Sequence, residues 1–259
     1  MRPLSQLRLI TFDVTDTLLQ FKTSPGQQYG EIGALYGISC DKKVLGHNFK
    51  THFRKMSQEH PNFGRHTGLG WEKWWHTVVK DSFKESDINC DNEKLDQVAN
   101  HLIDMYSGSG VWQVAHGAYG LLSFLRSKGV MLGVVSNYDP RLRNILINTR
   151  LRHYFQFVLI SYHVGFEKPD PKIFLEAMSS AKLENLEPQE CLHIGDQKSL
   201  DYDGARNCGW HAVLVNDKEK YPDIDKEHVF KIGLIFISIS LKLLANHYLL
   251  IRYNCIIFN

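Results

Sequence analysis

The chain has 259 residues, a formal net charge of +2, 43% hydrophobic residues and 22% charged residues. This length accommodates one α/β core with an insertion, or two small domains, and the composition is that of a globular protein without a large disordered fraction. Lys and Arg form no block along the chain. The sequence therefore predicts no nucleic-acid partner, and a membrane partner is not expected either.

The five Cys residues stand at positions 40, 90, 191, 208 and 255, without a close pair. This spacing is neither that of a disulfide framework nor that of a zinc site, and it is typical of reduced thiols inside the cell. A cleavable signal of the usual length, about 15–30 residues, would remove the first predicted strand and Asp13. We therefore expect a cytoplasmic or nuclear protein that is not secreted.

Short apolar segments alternate with helical segments along the chain. We predict strands over residues 7–12, 130–135, 157–160, 191–194 and 211–215. Helical patterns separate the later strands, over residues 120–128, from near Pro140, around 173–178, and from about Asp203 to Gly209. This alternation predicts βαβ units, and therefore an α/β fold with a Rossmann-like parallel sheet.

Residues 20–115 separate the first predicted strand from the second and carry helical patterns. Apolar residues spaced three and four apart predict amphipathic helices. We interpret this segment as a helical cap inserted into an α/β core that residues 1–19 and 116–230 form.

Three tryptophans of the insertion, Trp71, Trp74 and Trp75, allow two interpretations. They either line a substrate pocket or fill the core of the cap or its seam with the sheet domain, and the second is favoured because aromatic stripes at helical spacing usually face a core. The Gly-rich stretch 64–70 is the better candidate for substrate contact, against the alternative of a plain connector.

Residues 231–259 form an apolar C-terminal extension. A membrane-spanning helix needs about 20 mostly apolar residues, but Lys242 and Arg252 interrupt this one. We expect a packed or poorly ordered extension, whose removal leaves a folded core because the predicted strands precede it.

Polar residues suited to phosphate chemistry follow the predicted strands or precede a crossover helix. They are Asp13, Ser136, Asn137, Lys168, Asp196 and Asp201. Because parallel strands place their carboxyl ends at one edge of the sheet, we expect these side chains to meet.

This set of residues suits phosphoryl transfer. A carboxylate can attack phosphorus and become an aspartyl-phosphate, which divides one difficult step into two. Attack by an anion on an anion needs neutralisation, and carboxylate oxygens favour Mg²⁺. A Lys and a hydroxyl can bind the remaining phosphoryl oxygens. We predict Mg²⁺ as cofactor and a small phosphorylated metabolite as substrate, while the oligomeric state stays open.

Over about residues 7 to 228, these motifs resemble those of the haloacid dehalogenase-like hydrolases. The insertion resembles the helical cap between the first two motifs of that family. More narrowly, residues 12–18, 74–75, 112–114 and 168–171 resemble the rhythmically expressed gene 2-like group.

The resemblance implies a parallel sheet with the first strand in the middle, and it implies roles for the site residues. Asp13 would be the nucleophile and a metal ligand, and Ser136, Asn137 and Lys168 would bind phosphate, with Lys168 also restraining Asp13. The implied metal ligands are Asp13, the Thr15 carbonyl, Asp196 and, through water, Asp201.

One position departs from the family pattern. Phosphatases of this family carry a second Asp two residues after the nucleophile, which protonates the leaving group and later activates water. This chain has Thr15 there, followed by Asp16. Because neighbouring side chains at a strand end point in opposite directions, we expect that Asp16 does not replace it. Loss of a general acid–base lowers the rate by about 10²–10⁴-fold.

The leading prediction is therefore a slow, Mg²⁺-dependent phosphatase that works through an aspartyl-phosphate. One alternative is a non-catalytic phosphate-binding or regulatory protein, which the Thr15 position favours. Another is a dehalogenase or other C–X hydrolase. The acids Asp196 and Asp201 disfavour that alternative, because dehalogenases of this family work without a metal.

Overall fold

The computed structural model describes residues 6–86, 91–216, 221–224 and 228–230. Its strands are β1 (Leu9–Phe12), β2 (Leu19–Phe21), β3 (Trp112–Val114), β4 (Met131–Ser136), β5 (Phe157–Ile160), β6 (Cys191–Gly195), β7 (His211–Val215) and β8 (Val229–Phe230). Six of them form one sheet in the order β5-β4-β1-β6-β7-β8, with all neighbours parallel. The predicted α/β fold with a parallel sheet is confirmed.

The helices follow the alternation that the sequence predicts. They are α1 (Pro25–Leu35), α2 (Lys42–Glu59), α3 (Trp71–Lys84), α4 (Asn92–Ser107), α5 (Ala118–Ser127), α6 (Leu142–Asn148), α7 (Ser161–Val164), α8 (Pro171–Ala181) and α9 (Asp203–Asn207), with a π-helical turn (Lys198–Tyr202) before α9.

Strand β1 lies between β4 and β6, as expected, and Phe12 at its end is level with Val134 and Ile194 of its neighbours. The five predicted strands are all present, and β5 and β7 have the predicted bounds. The short β8 was not predicted. Its two residues are too few to show any periodicity.

The two faces of the sheet are covered by different helices. Ile10 and Phe12 belong to the core cluster that α5 and α6 cover. Leu9 belongs to the cluster that α8 and α9 cover. Because apolar cores contact both faces, the strands are mostly apolar and do not alternate regularly with polar residues.

Helices α1 to α4, which we call the helical insert, follow β2 and precede β3. They pack on one another around their own apolar core, which includes Tyr29, Leu45 and Phe83. The predicted helical character of this segment agrees with the structure, except at its two ends. There β2 and β3 form an antiparallel ladder that pairs Leu19 with Val114. Strands of three residues are too short to be recognised by their alternation.

The predicted C-terminal extension, residues 231–259, lies outside the described residues. Within the described part of the chain, no helix has the length and apolar character required to cross a membrane.

Candidate active site

The carboxyl end of β1 carries an acid bound to a buried lysine. Asp13 directly follows β1 and is 7% exposed, and Lys168 is 3% exposed. The Lys168 ammonium donates to Asp13 Oδ1 at 2.7 Å and to Asp201 Oδ1 at 2.5 Å. The structure therefore brings together residues from three distant parts of the chain, and Lys168 restrains Asp13 as the family resemblance implies.

The backbone of Lys168 is held by Asn137, which follows β4. Asn137 Nδ2 donates to the Lys168 carbonyl at 2.9 Å, and the Lys168 N–H donates to Asn137 Oδ1 at 2.7 Å. On the other side, Asp170 caps α8 by accepting from the Lys172 N–H at 2.9 Å, with Pro171 at the helix start. The side chain of Asn137 thus positions Lys168, a role that the sequence did not reveal.

A buried chain of hydrogen bonds orients the second acid. The imidazole of His193 joins Thr11 Oγ1 at 2.8 Å through Nδ1 and Asp201 Oδ1 at 3.0 Å through Nε2. Burial lowers the pKa of His193 below its ordinary value. Because a carboxylate only accepts, the neutral ring donates from Nε2 to Asp201 and accepts the Thr11 hydroxyl at Nδ1.

Both carboxylate oxygens of Asp201 have partners. Besides the bonds to Oδ1, the Gln197 N–H donates to Oδ2 at 2.9 Å. Burial opposes the charge of Asp201, but Lys168 and His193 outweigh it and hold the pKa of Asp201 well below its usual range. A side chain at Gly195 would overlap the Asp201 carboxyl group, so this position requires glycine. These contacts suit a residue that orients Lys168.

Asp196, which follows β6, lies in a region of excess negative charge. Burial raises the pKa of Asp196 to about 8, with further contributions from the charges of Asp13, Asp201 and Asp16 and a partial offset by Lys168. Oxygen donors with surplus negative charge are the ligands that Mg²⁺ prefers. The residues present therefore fit the predicted cation.

The predicted ligand set contains two carboxylates, of Asp13 and Asp196, and the Thr15 carbonyl. Among the described residues, no group of three or more His, Cys, Asp or Glu side chains forms a metal site. Asp201 completes the predicted set through water, and the metal assignment stays a prediction.

The chain turns directly after Asp13, which corrects the reasoning about Asp16. Asp16 has a φ of 54°, in the left-handed region, and its N–H donates to the Leu19 carbonyl at 2.7 Å. Side chains alternate only along an extended strand, so that argument does not apply in a turn. The charge of Asp16 contributes to the raised pKa of Asp196, which places this carboxyl group in the electrostatic field of the site.

A cavity of about 250 Å³ lies between the sheet edge and the helical insert. Trp75 lines it, whereas Trp74 is 1% exposed and packs with Met56 and Val78 in the core of the insert. Trp71 does not belong to its lining and lies instead along an open groove between α3 and α4. Trp74 therefore fills the core of the insert, and Trp75 lies at the seam with the sheet domain, where it lines this cavity. Contact of Trp75 with a substrate stays a prediction.

The Gly-rich stretch 64–70 does not line this cavity. Its Arg65 donates to the Tyr162 carbonyl at 2.5 Å, just beyond the point where Asn62 and Ser161 exchange hydrogen bonds of 2.8 and 2.9 Å. Contact of this stretch with a substrate therefore stays a prediction, and the structure gives it no part in this cavity. The turns bring the stretch onto α7, where it joins the insert to the core.

The sequence reasoning missed a buried ion pair after Asn137. Asp139 is inaccessible to solvent, and Arg141 binds it through Nε at 2.9 Å and through a terminal nitrogen at 2.6 Å. Trp75 Nε1 donates to the same carboxylate at 2.8 Å. The sequence did contain a signal for this ion pair: Asp139 and Arg141, two positions apart, closely follow β4, which ends at the predicted site residue Ser136.

Comparison with known proteins identifies the family. Residues 7–209 match the haloacid dehalogenase-like hydrolases. The chain belongs to this family. It is 49% identical over 243 residues to the Rhythmically expressed gene 2 protein of Drosophila melanogaster, covering 89% of this chain and 94% of that protein. It is 36% identical over 229 residues to the human haloacid dehalogenase-like hydrolase domain-containing protein 3, covering 86% and 90%.

Solved structures of haloacid dehalogenase-like proteins share the fold. A HAD phosphatase from Thermococcus onnurineus is 25% identical, with a TM-score of 0.57 and coverage of 91% of this chain and 98% of that one. A 2-haloacid dehalogenase from Pseudomonas syringae is 24% identical, with a TM-score of 0.60 and coverage of 90% and 98%. The resemblance drawn from the motifs is confirmed.

Proposed function

We propose that this haloacid dehalogenase-like hydrolase is a Mg²⁺-dependent phosphatase of small phosphate monoesters. One observation carries the proposal: a single buried ammonium, Lys168, faces the interacting carboxylates of Asp13, Asp196 and Asp201. The surplus negative charge favours a cation at this edge of the sheet, because burying an uncompensated charge is costly. We further propose that the helical insert is the cap that covers the site.

Asp13 supplies the nucleophile. Its carboxylate oxygen attacks phosphorus, the bond between phosphorus and the ester oxygen breaks, and the leaving alkoxide takes a proton from solvent water. Water then attacks phosphorus in the aspartyl-phosphate, which releases phosphate and restores the carboxylate. The contact with Lys168 at 2.7 Å orients Asp13, and Ser136 at the end of β4 is the proposed hydroxyl donor to the phosphoryl oxygens.

The proposed ligands for Mg²⁺ are the carboxylates of Asp13 and Asp196 and the carbonyl of Thr15. When bound, the cation supplies the neutralisation that attack by an anion on a phosphate dianion requires. The backbone carbonyl at position 15 is present whatever the side chain, so the Thr substitution spares this ligand.

The proton donor is the weak point of the proposed chemistry. Thr15 stands where phosphatases of the family carry an acid, and a hydroxyl does not act as a general acid near neutral pH. We therefore propose slow turnover of esters whose leaving group needs protonation. The same residue favours a second candidate function, a phosphate-binding or regulatory protein without turnover.

A panel of phosphorylated metabolites, assayed for phosphate release with Mg²⁺ and with EDTA, tests the proposal. We expect release that EDTA abolishes and that falls by at least about 10⁴-fold in Asp13→Asn, because the attacking carboxylate is lost. Binding of phosphate without turnover in the wild type would favour the second candidate. Equal release by wild type and Asp13→Asn would refute the assigned nucleophile.

Calorimetry with Mg²⁺ tests the metal ligands independently of activity. We expect wild type to bind and Asp196→Ala to lose most of the affinity. Asp104→Ala, which removes an exposed acid of α4, should bind as wild type does. Equal binding by wild type and Asp196→Ala would contradict the assignment.

A further inference from the structure

The cavity beneath the helical insert adjoins the proposed phosphoryl site. Its lining includes Thr15, Asn137 and Gln197. These residues follow the acids or hydroxyl at the ends of β1, β4 and β6, so they mark the side of the cavity that faces the reacting phosphate. A phosphate ester bound at Asp13 would therefore direct its leaving group into this cavity.

Aromatic rings form most of the remaining wall. Those from the insert include Phe49, Phe53 and Trp75, and those from the ladder at its base are Phe21 and Trp112. Such rings favour stacked or edge contacts with another ring. Pockets for drug-sized ligands usually measure about 300–1,000 Å³, so about 250 Å³ suits a smaller group, such as a single or fused aromatic ring.

The lining of the cavity carries little net charge. Within the described part of the chain, Arg141 is the one charged side chain of its lining. Asp139 neutralises that guanidinium through bonds of 2.9 and 2.6 Å, and the guanidinium also lies 4.9 Å from the ring centroid of Trp75. A second anionic group on the substrate would compete with Asp139 and lie beside its buried charge, which is unfavourable.

One residue of the cavity lining, Tyr106, carries an unsatisfied hydroxyl. Tyr106 Oη is buried and has no hydrogen-bond partner among the described residues. Burial keeps the pKa of Tyr106 far above its ordinary value despite the nearby charge of Arg141, so the phenol stays a donor. It interacts electrostatically with Arg141, Tyr29 and Tyr138, which also line the cavity. A buried donor without a partner is costly, and a ligand acceptor would remove that cost.

We propose that this cavity selects phosphate esters of aromatic alcohols that carry a neutral hydrogen-bond acceptor, which the Tyr106 hydroxyl binds. The inference rests on the proposed phosphatase function, because it places the leaving group of that reaction. Sugar phosphates are disfavoured, because the aromatic side chains that line the cavity would leave most of the sugar hydroxyls without hydrogen-bond partners. Substrates with a second anion are disfavoured by the buried Asp139.

Four esters of primary alcohols test this selection: para-acetylbenzyl phosphate, benzyl phosphate, phosphoglycolate, and a hexose phosphorylated on its primary hydroxyl. Their leaving groups are all alkoxides of primary carbons, so differences in kcat/KM report mainly on binding. We expect wild type to prefer para-acetylbenzyl phosphate over the hexose phosphate and phosphoglycolate by at least about tenfold. Tyr106→Phe should lower the preference for the acetyl-bearing ester over benzyl phosphate by about 3- to 10-fold.

Tyr36→Phe is the matched control. It removes a phenol of the insert that pairs with His101 and does not line the cavity, so both ratios should stay at the wild-type value. A second measurement omits turnover: calorimetry of para-acetylbenzyl alcohol with Asp13→Asn, with and without Tyr106→Phe. We expect weaker binding when the hydroxyl is absent.

The outcomes separate the two proposals. Turnover that depends on Asp13 but prefers the hexose phosphate or phosphoglycolate would overturn the inference and leave the phosphatase proposal standing. Absence of turnover, with alcohol binding that depends on Tyr106, would support the cavity assignment and count against the phosphatase. Alcohol binding that is absent, or equal with and without the Tyr106 hydroxyl, would overturn the inference.

Discussion

The sheet edge and the cavity above it are neighbouring regions that differ in their interactions: hydrogen bonds and ion pairs hold the edge, and aromatic packing forms the cavity. At the edge, Lys168, Asp201 and His193 are buried, and each has hydrogen-bond partners within 3.0 Å. In the cavity, rings meet rings, and Tyr106 Oη has no partner among the described residues. Hydrogen bonds define positions to within tenths of an ångström, whereas ring contacts tolerate many arrangements.

This difference between the two regions indicates which region should control the reaction rate and which should control the choice of ester. The proposed chemistry at Asp13 requires one geometry, and a hydrogen-bonded polar network supplies it. The proposed selection of a leaving group requires a fitting shape and one donor, for which no such network is needed. Changes at the edge should therefore affect rate and stability strongly, and changes in the cavity should mainly affect which ester is used.

The largest effect on turnover is expected at position 15, where the sheet edge lacks the acid that phosphatases of the family carry. Thr15→Asp would restore the acid–base side chain, and we expect turnover of an unactivated ester to rise by up to about 10²–10⁴-fold. Nitrophenyl phosphate, whose leaving group hardly needs a proton, should gain much less. Steady-state kinetics on both esters measure this. A wild type that is already fast on unactivated esters would show that Asp16 or a residue of the insert supplies the proton.

Removal of the buried Lys168 ammonium should have the next largest effect. Lys168→Met leaves the buried carboxylates of Asp13 and Asp201 without their partner, so the free energy of unfolding should fall by about 3–5 kcal/mol. Adding Asp201→Asn should recover part of this loss, because it removes one of the two charges. Urea denaturation measures both variants, with Lys55→Met at an exposed position as control. A loss below about 1 kcal/mol would mean that the network is weaker than its geometry indicates.

The smallest effects are expected in the free energy of unfolding when one ring of each region is replaced by Phe: His193 at the sheet edge and Tyr106 in the cavity. His193→Phe keeps the ring contact with Phe174, at 5.5 Å between centroids, but loses the bonds to Thr11 and Asp201. We expect it to lower the free energy of unfolding by about 1–3 kcal/mol. Tyr106→Phe removes a buried donor that has no partner among the described residues, and it should raise the free energy of unfolding by about 1 kcal/mol. Thermal or urea unfolding that ranks the two variants in the reverse order would contradict the contrast.

Much of the architecture could be predicted from local patterns. The segments that became β5 and β7 were predicted at their observed bounds, because apolar strands between helices are recognisable within a few residues. The short β2, β3 and β8 could not be predicted, since two or three residues carry no period. The turn at Asp16 was also missed, because a left-handed residue depends on the backbone bond to Leu19 and not on alternation.

By itself, the sequence determined the order of strands and helices, and it placed Asp13, Ser136 and Asp196 at strand ends that a parallel sheet brings to one edge. The tertiary structure alone decided the contact between Trp75 and Asp139, the clamp of Asn137 on Lys168 and the isolation of the Tyr106 hydroxyl. The physical reason is range. Periodicity reports whether a residue is buried, which neighbours in sequence can reveal. Which buried groups then meet depends on how the helical insert packs against the sheet, and no local pattern contains that information.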